Sequence, residues 1–76
     1  MIQNLDNVVL TIDIPEHDLT AGDIGTVVLV HEGGTGYEVE FATLDGETMA
    51  VVTLPAKDIR TIGRHEIAYA RQVAQG

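Results

Sequence analysis

Cysteine is absent from the 76 residues, which excludes disulfides and thiolate metal sites. The cross-linked framework that small secreted domains use to offset a small core is therefore not open to this chain. Serine is absent as well, and although threonine is plentiful, none is paired with a plausible base. There is no tryptophan, one phenylalanine and two tyrosines. An aromatic groove for proline-rich peptides, an aromatic cage for methyl-lysine and a stacking surface for RNA all need more than that. No apolar run approaches the roughly 20 residues of a membrane helix. Residues 1–6 lack the basic start and apolar stretch of a signal peptide, so the expected location is the cytoplasm.

Positive charge is nearly as scarce. Residues 1–56 hold ten of the twelve carboxylates and no Lys or Arg. The basic residues Lys57, Arg60, Arg64 and Arg71 all follow, opposed there by Asp58 and Glu66, and the net charge is −8. A body of this kind cannot neutralise phosphates, so nucleic acid and anionic membranes are not expected partners. A basic protein is electrostatically favoured, while the same charge also serves solubility.

What remains is rich in β-branched residues at close spacing. Residues 8–12 read as a strand. Residues 13–23 form a polar loop in which Pro15 blocks a ladder and Gly22 gives a corner, with apolar Ile14 and Leu19 expected to pin the loop to the core. Residues 24–31 are a strand with apolar residues in both alternating sets, which predicts a bend or cover on both faces. After a glycine turn, Tyr37, Val39 and Phe41 alternate with Glu38 and Glu40, the pattern of a half-buried strand. Asp45-Gly46 signals a two-residue hairpin turn into a strand over 48–54. A tight turn or single 3₁₀ turn over 55–58 and a short strand over 59–62 complete the order. Crossover helices have no room, so the sheet is antiparallel. The connectivity predicts an all-β domain, a small five-stranded SH3-like barrel over residues 1–62. An oligonucleotide-binding-type barrel would want a helix where Asp45-Gly46 sits. Residues 63–76 favour a short helical or flexible tail, with Ile67, Ala70, Val73 and Ala74 at helical spacing.

Few residues could carry chemistry. His17, His31 and His65 lack the spacing of metal ligands and read as surface residues. Asp13, Glu16, Asp18 and Asp23 share a loop, but their spacing does not match a Ca²⁺ loop and Pro15 interrupts it. Gly33, Gly34 and Gly36 are followed by neither lysine nor helix, so they serve a turn and not a phosphate. No catalytic residue, metal site or cofactor is expected, and the chain does not read as an enzyme. The acidic surface is then the main candidate for function. Glu38 and Glu40 point together from one strand, and Asp45 and Glu47 crown the adjacent hairpin. Ile67, Tyr69 and Val73 of the tail add an apolar anchor of the kind found at interface hot spots.

The segments G-D-I-G-T-V-V over 22–28 and Y-E-V-E-F over 37–41, with L-D-N-V-V-L and D-I-P-E-H-D-L before them, resemble a small bacterial and archaeal SH3-like domain family of unknown function. The resemblance covers residues 4–62 and brings no catalytic residues. Members of that family often sit beside genes resembling small toxins. The resemblance therefore implies an antitoxin or immunity-like module that occludes a basic protein. The alternative is a structural or accessory subunit that assembles through a sheet edge or the tail. The two differ in how strongly their binding responds to salt.

Overall fold

Residues 1–73 are described by the computed structural model, and five strands carry them: β1 (Asn7–Leu10), β2 (Ile24–Val30), β3 (Gly36–Ala42), β4 (Thr48–Pro55) and β5 (Ile59–Thr61). Three 3₁₀ turns, Pro15–His17, Glu32–Gly34 and Ala56–Asp58, fall in the connections. Proline opens the first of them, at a helix start where its missing N–H has no partner to lose. Among the described residues there is no α-helix.

All ladders are antiparallel, in the order β4-β3-β2-β1-β5. Leu54 at one end of that order and Ile59 at the other belong to the same core cluster, so the sheet bends around one core. β4 and β5 nevertheless share no ladder, and the expected barrel is not closed. The alternation in β3 is realised in full. Tyr37, Val39 and Phe41 are buried opposite Leu54, Val52 and Ala50, while Glu38 and Glu40 face out. β2 resolves its two apolar sets by bending. The register shifts between Val27 and Leu29, leaving Val27 fully buried and Val28 and Leu29 on the surface. Gly25 sits where β2 crosses the core. A Cβ there would lie 2.6 Å from Val39 Cγ1, 2.9 Å from Phe41 Cε1 and 3.0 Å from the Glu40 carbonyl oxygen.

The loop between β1 and β2 contributes two side chains to the core. Ile14 and Leu19 exchange backbone hydrogen bonds of 2.9 and 3.1 Å and are both buried in the core, as the sequence led one to expect. Asp13 accepts from the Ala21 N–H at 2.9 Å, and Asp23 from the Thr20 N–H at 2.9 Å, so two of the loop carboxylates close the loop itself. The β3–β4 hairpin differs from the two-residue turn predicted. Thr43 N–H donates to the Glu47 carbonyl and Gly46 N–H to that of Thr43, which makes a three-residue loop with Gly46 at φ 95°.

The tail is not helical over residues 63–73, and Ala74 lies outside the described residues. An isolated helix of this length is marginal in water, and here ion pairs to the body set the path instead. Glu66 turns back on β5, accepting from both Arg60 Nη atoms at 2.8 and 2.7 Å and from the Gly63 N–H. Those bonds, Arg60 first, hold its carboxyl at about 2 against the opposing effect of desolvation. Further on, Arg71 grips Asp23 with Nε at 2.8 Å and Nη2 at 2.5 Å, and donates to the Asp18 carbonyl at 2.8 Å. Burial raises the Asp23 pKa, but the Arg71 hydrogen bond, the Thr20 N–H and the Arg71 charge together bring it below 3.8.

A carboxylate lowered in this way stabilises docking above its ordinary value and loses that contribution as pH falls through the folded value. Acidification below 3.8 is thus expected to release the tail, and Arg71→Ala to release it at neutral pH. The partly exposed pair contributes about 1 kcal/mol or less to global stability. Methyl chemical shifts of Val73, followed by NMR against pH in both proteins, check this. Shifts that move together in wild type and variant would refute it.

Candidate protein-binding face

The outer surface of β2, β3 and β4 is built from two cross-strand rows. Leu29, Glu38 and Thr53 form one, and Thr26, Glu40 and Val51 the other. Such neighbours stand about 5 Å apart, within side-chain reach. Glu38 is half-buried and well partnered. His31 Nε2 donates to it at 2.7 Å, and Thr53 Oγ1 at 2.7 and 2.9 Å. The His31 bond, then the Thr53 bonds, keep its pKa below the usual glutamate value of 4.5 against desolvation. Glu40 accepts from Thr48 Oγ1 at 2.5 Å. These bonds fix the direction of each carboxylate and leave lone pairs for a cation, since an ionised carboxylate offers about four acceptor sites.

Beside the carboxylates lie two large apolar side chains, Leu29 at 51% and Val51 at 54% exposure. No Lys or Arg occurs anywhere in β1 to β4. The face is therefore anionic along its central strand, flanked by one exposed apolar side chain on each neighbouring strand, and without a Lys or Arg of its own.

The residues singled out from sequence separate into two groups. Glu38 and Glu40 lie on this face. Asp45, Tyr69 and Val73 surround a groove of about 700 Å³ between the tail and the sheet, whose floor includes Leu19, Phe41 and Met49. Asp45 is tied down by the Thr43 hydroxyl. Glu47 lines a neighbouring hollow with Asp45 and Val73, and its carboxylate has no partner among the described residues. Ile67 and Tyr69 are 95% and 87% exposed, and Val73 is half-buried. No helical stripe joins them.

His31, Thr53, Leu29 and Val51 went unnoticed in the sequence as members of the face. The signal for the apolar pair was present in the double apolar sets of β2 and β4. The His31 contact had none, because it depends on the register of β2 against β3. Of the other histidines, His17 and His65 are exposed. Among the described residues, no three His, Asp or Glu side chains come together as a metal site. No helix among them is long and apolar enough to cross a membrane.

No curated protein and no solved structure matches the chain. A family does, over residues 4–61, a span that takes in all five strands and leaves out the tail. Its description is that of a domain of unknown function, and the chain belongs to it: the DUF4926 family.

Proposed function

We propose that the chain is a non-catalytic protein-binding module of SH3-like architecture that engages a basic protein partner through the outer face of β2–β4. An antitoxin or immunity-like role in the cytoplasm is the biological form of this reading. The observation that carries it is the placement of exposed Leu29 and Val51 against Glu38 and Glu40 with no Lys or Arg on the same strands. A partner with Lys or Arg flanked by apolar residues fits that pattern. Its apolar contact supplies affinity, and the charges supply encounter rate and orientation. The SH3-like assignment draws support from β1 lying between β2 and β5, and from the 3₁₀ turn Ala56–Asp58 that leads into β5.

The test is capture of a partner from host lysate on immobilised chain, run beside the Glu38→Lys, Glu40→Lys double variant. A basic protein is expected to be retained at low salt and lost at about 1 M salt, where screening acts within about 3 Å. The variant, shown by circular dichroism to be folded, is expected to retain none of it. Equal retention on wild type and variant would show that this face is not the one used.

A further inference from the structure

We propose that β4 pairs antiparallel with β4 of a second copy of this chain, joining two sheets edge to edge. This does not rest on the partner reading above, since it uses the backbone rim of the sheet, although Val51 and Thr53 belong to both surfaces.

The two ends of the sheet are treated differently. β5 has only three residues, carries Arg60, and its continuation is folded back by the Arg60–Glu66 fork. Those are the devices by which proteins guard an edge: shortness, charge and cover. β4 has eight residues, Thr48–Pro55, with no charge among them, and it is laddered only to β3. Its one irregularity is the shift at Phe41/Ala42, which falls at its start, and its one proline is its last residue. Residues 50–54 therefore present a regular, neutral row of backbone donors and acceptors that is unpaired among the described residues.

The charges that flank the strand select the occupant. Glu47 precedes β4, and its carboxylate is unpartnered among the described residues. Lys57 follows β4 at 83% side-chain exposure, with only a 3.7 Å approach to Asp58. The strand is thus acidic at one end, neutral along its length and basic at the other. Antiparallel pairing with itself matches those ends; parallel pairing would set like against like. Because opposed residues in an antiparallel pair share a face, a two-fold axis through Val52 sets Val51 beside Thr53 of the second copy on the outer face. On the core side it sets Ala50 beside Leu54 of the second copy. The same alignment brings the Glu47 end of each strand toward the Lys57 end of the other, twice. At physiological salt the remaining carboxylates of the two copies are screened beyond about 8 Å, so the net charge of −8 does not forbid the contact.

Sedimentation equilibrium of the full chain at physiological salt tests this. One strand pair is a small interface, so reversible dimerisation is expected between about 10 µM and about 1 mM. Val51→Lys with Thr53→Lys, both at exposed or outward positions, is expected to weaken it about tenfold or more by placing like charges across the seam. Lys57→Glu and Glu47→Lys are each expected to weaken it, and the Glu47→Lys, Lys57→Glu double variant to restore it. These two positions lie outside the ladder, which keeps the test informative should the strand variant fail to fold. A monomer throughout the range overturns the proposal. So does a dimer indifferent to the strand variant, or a charge swap that fails to restore it.

Discussion

Gly25→Ala is expected to lower the melting temperature by roughly 10–20 °C, the shift that about 2–3 kcal/mol produces in a domain of this size. The added methyl would meet Val39 Cγ1, Phe41 Cε1 and the Glu40 carbonyl oxygen, all at or within 3.0 Å. Val39 is fully buried and Phe41 2% exposed, so neither has space to move into. The carbonyl belongs to the β2–β3 ladder and moves only if the ladder does. Total stability for 76 residues is of the order of 4–11 kcal/mol, so one methyl consumes a large share of it. Thermal melts followed by circular dichroism measure the effect. Val39→Ala in the same chain removes the nearest obstructing atom and is expected to recover part of the loss, a coupling that a double-mutant cycle isolates. A single variant that melts within about 2 °C of wild type would mean that β2 and β3 are not so closely apposed at this point.

Leu19→Ala is expected to cost about 2–5 kcal/mol, the range for a fully buried leucine whose site does not collapse. Leu19 is 2% exposed and belongs with Ile14 to the single core cluster, to which the β1–β2 loop contributes. Its removal would open a cavity beneath the loop that carries Asp23, and the grip of Arg71 should weaken with it. Urea denaturation gives the cost, and amide exchange at Ile14 and Leu19 shows whether the loop opens by itself. Leu44, at 95% exposure, is the internal control. Leu44→Ala is expected to fall within about 0.5 kcal/mol of wild type. Equal effects at the two positions would show that loop burial contributes little.

Strand positions were legible because each rests on local composition. Tyr37 to Phe41 announces both a strand and its buried side by strict alternation. Ile14 and Leu19 stand out as the two large apolar residues of a polar loop. Less legible was anything that depends on two distant segments meeting. The close approach at Gly25 comes from the side chains of β3, and nothing within β2 signals it. The Arg71–Asp23 fork joins residues 48 positions apart. Of the helical or flexible tail predicted, the helical form is not seen, because a bidentate ion pair can hold irregular chain where ten or so residues of modest helix propensity cannot sustain themselves. The hairpin at Asp45-Gly46 was correct in kind, but one residue short. Glycine with positive φ suits both the two-residue turn and the three-residue loop, and only the Thr43–Glu47 pairing separates them. As for the candidate site, Glu38 and Glu40 were visible as a pair, while the apolar residues between which they stand belong to the neighbouring strands.

The position of β1 between β2 and β5 governs how the chain reaches its native state. β2, β3 and β4 are joined by short connections, so their two ladders close loops of few residues and can form early. The ladder of Val8 with Thr61 and of Leu10 with Ile59 joins segments about fifty residues apart and must await the rest. Sheets dominated by such distant pairings fold in milliseconds to seconds, far slower than helical bundles of equal size. During that interval a four-stranded intermediate would carry a second bare rim along β1, which β5 covers only in the finished molecule. A newly made chain thus spends its vulnerable time with hydrophobic strand surface on both sides. The speed of that last closure, more than native stability, sets how much of the protein escapes aggregation.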